Sequence, residues 1–363
     1  MKVLFVTPPL AFQNLGGGEI QMLKTKKYLE KLFKLEIEIF DVVNTRLNDY
    51  DIIHFFGSEY ILFPLVSAAK NLKKKVIISS IFFDNKHFFT YKIATFISKR
   101  LPFRTSVLDR LELLKLADFV LPNSFIEAEY LRKAFDILPE KIHVIPNGID
   151  VEEINDYLNA ITQEDEEVFK KEYNINTPYF LYVARFDKRK NQLNLIKAFN
   201  ELTKLENNIK LILVGLPNLD SIEYYNQCKK EALKSGGRII FLPALKHDDK
   251  KLWIAYKCAT AHIMPSLFET PGLASLEAAF CGCRLIVTTG GATREYFKDY
   301  ALYVNPNDID DIKEKMLAIL KDKKTNELLK KSEMLKQEIL KDYNWEKIAE
   351  NTYKIYEMIG GLQ

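Results

Sequence analysis

At 363 residues, with 47% hydrophobic and 28% charged side chains, the chain is long enough for two ordinary domains and has the balance of a soluble globular protein. A formal net charge of +3 points to no nucleic-acid partner, and no apolar run approaches the roughly 18–20 residues of a membrane-spanning helix. The opening MKVLFVTPPL has too short an apolar core for a signal peptide and reads as a first strand. The four cysteines (Cys228, Cys258, Cys281, Cys283) lack CxxC spacing and nearby histidines, so buried reduced thiols in a cytoplasmic chain are expected.

From the amino end, strand-like runs at 3–7, 51–56, 75–80, 118–124 and 141–148 alternate with helix-period stretches such as 19–33 and 105–117. That alternation predicts a parallel sheet covered by helices on both faces. A polar, acidic stretch at 150–178 reads as a linker carrying a surface helix. The pattern then starts afresh with strand-like runs at 179–185, 209–215, 238–243, 261–266 and 284–289. The expected architecture is α/β, with two doubly wound domains, 1–165 and 166–342, facing one another across a cleft at the carboxyl ends of their strands. The final stretch is an amphipathic helix with Trp345, Ile348, Ala349, Tyr356 and Ile359 at helical spacing, interrupted by Thr352.

The most informative segment is 265–283, PSLFETPGLASLEAAFCGC. Pro271-Gly272 ends a loop that carries Glu269, and Leu273 to Phe280 reads as a helix that carries Glu277. The helix N-terminus near Leu273 offers backbone N–H groups and a positive dipole end to a phosphate. A glutamate beside a phosphate is repelled by it, so Glu277 suits neutral ribose or sugar hydroxyls. After the strand that ends near Arg185 comes a short cationic loop (Lys188, Arg189, Lys190), placed where a ligand crevice is expected. A loop position for Lys190 predicts that its replacement leaves the fold intact. Gly16-Gly17-Gly18 follow the first strand and precede a helix, which lets backbone approach a phosphate or merely turns the chain. His54 sits inside an apolar run and reads as structural. Asp248-Asp249 and Asp308, Asp310 and Asp311 read as helix caps, so no metal is expected.

Together these segments resemble the retaining glycosyltransferases of family 4, which have the GT-B fold and a Glu-x7-Glu motif, here Glu269 and Glu277. Arg185 and Lys190 match that family's G-R-x-x-x-x-K-N pattern, with Ala184 where glycine is usual. The resemblance implies transfer of a sugar from a nucleoside diphosphate to an acceptor hydroxyl in cell-surface glycan or glycolipid assembly, with neither cofactor nor metal. It implies that Arg185 and Lys190 hold the departing diphosphate, Glu269 orients the donor sugar and Glu277 the ribose. Gly272, Leu273, Gly290 and Gly291 would lie by the donor phosphates, and Gly16, Gly17 and Gly18 on the acceptor side. It also assigns the terminal helix, 343–363, to the first domain. The family's functional histidine has no counterpart: VIISSIFFDNKHFF places Ile81, Phe82 and Phe83 there, and His87 comes several residues late. A nucleotide-sugar 2-epimerase of the same fold and a non-catalytic sugar-nucleotide-binding scaffold stay open as alternatives.

Between residues 70 and 115, cations outnumber acids and aromatics are interleaved, among them Phe82, Phe83, Phe88, Phe89, Tyr91, Phe96 and Phe103. Some of these rings belong to the core. The rest form either a solvated face or a peripheral contact with the inner face of an anionic membrane, where a lipid-linked acceptor would lie.

Overall fold

The computed structural model describes residues 1–13, 16–82, 86–322 and 326–361. It divides the chain into two compact units, Met1–Gly148 with Asp342–Gln363, and Ile149–Lys341. The first unit runs β1 (Lys2–Val6), α1 (Gly17–Phe33), β2 (Glu36–Ile39), β3 (Ile52–Phe56), α2 (Phe63–Asn71), β4 (Lys75–Ser79), α3 (Phe88–Ser98), α4 (Ser106–Leu116), β5 (Phe119–Leu121) and α5 (Phe125–Phe135). The second opens with α6 (Val151–Ala160) and α7 (Gln163–Glu172), then β6 (Tyr179–Val183), α8 (Gln192–Leu202), β7 (Lys210–Val214), α9 (Ile222–Ala232) and β8 (Ile239–Leu242). It continues with α10 (Lys250–Lys257), β9 (Ala261–Met264), α11 (Leu273–Phe280), β10 (Leu285–Thr288), α12 (Thr293–Phe297), β11 (Leu302–Val304) and α13 (Ile309–Lys321). Helix α14 (Glu327–Asp342) ends at the edge of this unit, and α15 (Trp345–Gly360) belongs to the first.

Both sheets pair in parallel, in the orders β2-β1-β3-β4-β5 and β11-β10-β9-β6-β7-β8. Helices cover both faces, so central strands such as IIHFF are buried at every position. In the first sheet Leu4, Ile53, Phe55 and Ile78 share a core with residues of α2, α4 and α5, while Val3, Phe5, Ile52 and Ile77 share one with α1 and α15. The order reverses between β1 and β3, and between β6 and β9. At such a point the crossovers on either side diverge and leave a crevice at the carboxyl ends of the strands.

Helix α15 buries Trp345, Ile348, Ala349, Tyr356 and Ile359, and Thr352 is buried with them because its hydroxyl donates to the Ile348 carbonyl at 2.8 Å. Its register is fixed by His54. The buried imidazole has Nδ1 at 2.7 Å from the Tyr356 hydroxyl and Nε2 at 2.9 Å from Ser79 Oγ, which satisfies both ring nitrogens in the neutral form. His54 is therefore structural, as its place in the strand implies.

Several sequence expectations change. The 141–148 run forms no strand: it makes a single bridge from Ile142 to Val120, and His143 and Ile145 donate to the carbonyls of Val120 and Pro122. The edge strands β2 and β11 are too short, and β2 too polar, to stand out by composition. Residues 149–165, grouped with the first domain above, lie in the second unit, where Tyr157 stacks on Trp253 of α10 and Asp165 pairs with Lys250 at 2.6 Å. Gly148, at the end of that run, lies against the residue before α15: a Cβ there would stand 2.9 Å from the Asn344 carbonyl carbon. Cys258 and Cys281 are half-buried, and all four thiols are free.

Burial drives the His54 pKa down to about 3, whereas an unfolded histidine titrates near 6.5. The depressed folded value means that the unfolded state takes up the proton first. The neutral imidazole's contribution is then complete above about pH 6.5 and is lost as pH falls toward 3. Between pH 7 and 5 this amounts to about 2 kcal/mol. His54→Gln is expected to be less stable at pH 7 yet to lose about 2 kcal/mol less than the parent on moving to pH 5, as measured by denaturant unfolding at both values.

Candidate functional site

The crevice at the β6/β9 reversal is built from the two loops that leave those strands. After β6 the chain passes Ala184 and Arg185, then makes one 3-10 turn at Lys188–Lys190, capped by the Asp187 carboxylate accepting from Arg189 N at 2.7 Å. Asn191 follows in the left-handed region (φ 60°), which asparagine tolerates better than most residues. From there its side-chain amide donates to the carbonyls of Pro265 (2.9 Å) and Pro306 (2.7 Å). The Leu267 amide donates to the Arg189 carbonyl at 2.8 Å and the Arg189 guanidinium to the Phe268 carbonyl at 3.1 Å, so the two loops are laced together.

This lacing brings Lys190 Nζ to 2.6 Å from Glu269 Oε1, with Arg189 3.9 Å from the same oxygen. Glu269 is almost wholly buried, and Lys190 is 18% exposed. Burial works to raise the Glu269 pKa, but the charges of Lys190 and Arg189 and hydrogen bonds to the carboxylate hold it below the ordinary value. Glu269 is thus an anion kept ionised by its neighbours. Lys190 does stand on the turn between β6 and α8, but removing it would leave a buried carboxylate uncompensated, at a cost in stability.

Gly290 and Gly291 have a packing reason. The 269 segment runs alongside them, with Glu269 N donating to Gly290 O (3.2 Å) and Ala292 N to Glu269 O (2.9 Å). A Cβ at Gly291 would stand 2.1 Å from the Glu269 carbonyl oxygen, and one at Gly290 2.5 Å from that of Leu267. Gly272, with φ +83°, caps α11 and lies against the Glu269 carboxylate, where a Cβ would meet Oε2 at 3.2 Å. Leu273 is the first residue of α11, so the helix N-terminus opens next to the Lys190–Glu269 pair. Gly215 (φ +142°), just past the neighbouring strand β7, is glycine because the Ala184 carbonyl passes close by: a Cβ there would stand 2.1 Å from that oxygen. Arg185 is exposed on the same loop, and its carbonyl accepts from Gln192 Nε2 at 2.8 Å.

Glu277 lies on α11 and is 8% exposed. Its Oε1 is 2.8 Å from Nε2 of His247, and its Oε2 accepts from the Tyr256 hydroxyl at 3.3 Å. His247 was missed by the sequence reading. It stands in ALKHDDK, on the exposed loop after β8, and its carbonyl accepts from Trp253 Nε1 at 3.0 Å. A polar residue just past a strand's carboxyl end is the signal that marks it; of the acids expected to be caps, Asp249 caps α10 and Asp308 caps α13.

Gly16, Gly17 and Gly18 belong to the first unit, at the carboxyl end of β1. Gly16 caps α1 and donates to Glu19 Oε2 at 2.7 Å. Glu59, after β3, joins the surroundings of this loop unforeseen: burial raises its carboxyl above the usual range, Glu19 adds to that, and Arg110 opposes it. His87 caps α3, accepting from Phe89 N at 3.4 Å. Phe83 lies outside the described residues. Among the described residues no group of three or more histidine, cysteine or acidic side chains is placed to hold a metal ion.

Comparison with known proteins bears on the family and the fold. Residues 163–338 match the family described as "Glycosyl transferases group 1" and residues 14–153 the one described as "Glycosyltransferase Family 4". An uncharacterised glycosyltransferase of Methanocaldococcus jannaschii is 26% identical over 230 residues, 62% of this chain and 56% of that protein. A lipopolysaccharide 1,2-N-acetylglucosaminetransferase of Salmonella typhimurium is 25% identical over 246 residues, 64% of this chain and 60% of its own. The chain thus spans less than two thirds of either relative. The fold matches a glycosyltransferase from Rickettsia africae (TM-score 0.78, 19% identity, covering 100% of this chain and 99% of that one). It also matches Anabaena HepE in complex with UDP (TM-score 0.77, 15% identity, 99% and 100%).

Breaking a buried ion pair from one side costs about 3–5 kcal/mol. Because Lys190 keeps 18% exposure, Lys190→Ala is expected at the low end, about 3 kcal/mol, or roughly 6–12 °C in the midpoint of a unit this size. Since the folded pKa of Glu269 is depressed, the pair's contribution is present above the ordinary carboxyl pKa and lost as pH falls through the folded value. Thermal melts should show the largest gap between parent and variant near pH 7, shrinking below about pH 4.5.

Proposed function

The chain belongs to family 4 of the glycosyltransferases, of the GT-B fold, and on that premise we propose that it is a retaining glycosyltransferase that moves a sugar from a nucleoside diphosphate to an acceptor hydroxyl. The observation that carries this reading is the Lys190–Glu269 pair beside the start of α11. A cation, a run of backbone N–H groups and an ionised carboxylate then meet at one crevice. In this reading the diphosphate lies against the N-terminus of α11 and is neutralised by Arg185 and by the N–H groups of Lys190 not used by Glu269. These interactions strengthen as the leaving diphosphate gains charge, which is where stabilisation accelerates the reaction.

Glu269, held as an anion, accepts hydrogen bonds from hydroxyls of the donor sugar. Glu277, oriented by His247 and Tyr256, has remaining lone pairs for the ribose. Gly272, Gly290 and Gly291 keep side chains away from the donor. The leaving phosphate oxygen takes the acceptor proton, with no metal or cofactor. Solved complexes of the Anabaena neighbour with UDP and with UDP-glucose support a donor of this class. The acceptor is a glycan or a lipid-linked saccharide, met from the cytoplasmic side, with Gly16, Gly17 and Gly18 near it.

Arg185→Ala, at an exposed position, should lower kcat/KM by about 10²–10³-fold, the effect of one preorganised charge contact. Glu277→Ala should weaken nucleoside diphosphate binding by about 10–100-fold, as expected from losing hydrogen bonds to a charged group. Calorimetry with UDP and GDP, and diphosphate release with and without acceptor, measure both. Near-parental values in both variants would refute the assignment; epimerised donor in place of release would identify a 2-epimerase, and binding without either reaction a scaffold.

A further inference from the structure

We propose that the outward face of α3, with the 99–103 segment that follows it, docks this protein on the surface of an anionic lipid bilayer. Helix α3, FFTYKIATFIS, carries no acidic residue and is apolar on two sides. Tyr91 and Ser98 are buried and Phe88 packs partly on the first unit's core. The other side presents Phe89, Ile93, Phe96 and Ile97 at the spacing of one helix face, with exposures of 56%, 59%, 59% and 51%. Leu101 and Phe103 (62% exposed) extend the patch past the end of the helix. Isolated exposed apolar residues are ordinary, but a contiguous set of this kind marks an interaction surface.

The charge around the patch selects the occupant. A groove of about 700 Å³ beside it is lined by Lys92, Lys99 and Lys115 against one carboxylate, Asp136, which pairs with Lys92 at 3.2 Å. Arg100 lies over the Phe96 ring, 3.4 Å from its centroid, which holds a cation at the level of the exposed aromatics. The wider cationic stretch anticipated over 70–115 is narrowed by the ion pairs it makes. Lys70 is taken by Asp118 (2.7 Å), Arg104 by Asp109 and Glu112 (2.7 and 2.6 Å), and Arg110 donates to the Ser58 carbonyl (2.9 Å). What remains is an apolar face with a lysine and arginine rim, the arrangement that seats side chains at the headgroup–acyl boundary while the rim meets anionic headgroups. A second copy fits poorly, because two such rims would face like with like. Among the described residues no helix is long and apolar enough to cross a membrane, so the contact is with one leaflet.

This inference does not rest on the proposed transfer reaction, because binding is read without donor or turnover. The test is co-sedimentation of the full chain with vesicles of phosphatidylcholine alone and with vesicles rich in phosphatidylglycerol. Partition is expected to be at least about tenfold greater to the anionic vesicles and to fall as salt rises from about 0.1 to 1 M, where the Debye length shrinks from about 10 to 3 Å. Phe89→Ser/Phe96→Ser and Lys92→Ser/Lys99→Ser should each lower it by about tenfold, with circular dichroism and melting midpoint unchanged because all four positions are exposed. Four results would overturn the proposal: no partition to either vesicle, equal partition to both, partition that neither double variant alters, or a concentration-dependent dimer that the phenylalanine variant abolishes.

Discussion

A carboxylate buried at the end of a parallel sheet is the constraint around which the second unit's site is organised. Glu269 is worth its desolvation only because Lys190 reaches it from the loop after β6, with Arg189 a little further off. That reach depends on the strand order. The strands β6 and β9 are parallel neighbours at the place where the strand order reverses, so two loops 79 residues apart in sequence are laid side by side. Asn191, in a left-handed conformation, then ties one loop to the carbonyls of Pro265 and Pro306 and sets where the lysine stands.

The close packing of backbone around that pair explains residues that a chemical reading alone would treat as ligand contacts. Gly290 and Gly291 are glycine because the 267–269 backbone passes too near for a Cβ. Gly272 combines a positive φ with a position against the Glu269 carboxylate. These packing roles are compatible with the donor binding proposed above, which sets an anion at the N-terminus of α11. Glu277 shows the same economy of placement, since His247 and Tyr256 orient it while leaving acceptor capacity unused.

The first unit is held by a different polar device. His54, neutral and buried, joins β3 to β4 through Ser79 and to α15 through Tyr356, so the last helix of the chain is hydrogen-bonded into the sheet with which the chain begins. Glu127 works similarly at the carboxyl ends of β4 and β5, accepting from Ser80 Oγ and from the amides of Phe82 (2.8 Å) and Asn123 (2.9 Å). His54 and Glu127 are satisfied inside the unit in this way, while the apolar outer face of α3 stands apart as surface that the fold itself does not use.

Periodicity alone determined the α/β class and the two parallel sheets, because strands buried on both faces must read as unbroken apolar runs such as IIHFF and KLILV. It also placed the helix at Leu273–Phe280, since Pro271-Gly272 and the small apolar run after them permit little else. The Glu-x7-Glu spacing and the cationic loop were legible for the same local reason. Periodicity failed at β2 and β11, where too few residues are available to show alternation, and at 141–148, where an apolar run lies beside β5 without forming a ladder. Only the tertiary structure decided that Lys190 and Glu269 form a buried pair, that His247 meets Glu277 from 30 residues away, and that residues 149–165 pack with the second unit. Each is a contact between segments remote in sequence, set by strand order and side-chain direction, and neither of those is written in the local pattern of residues.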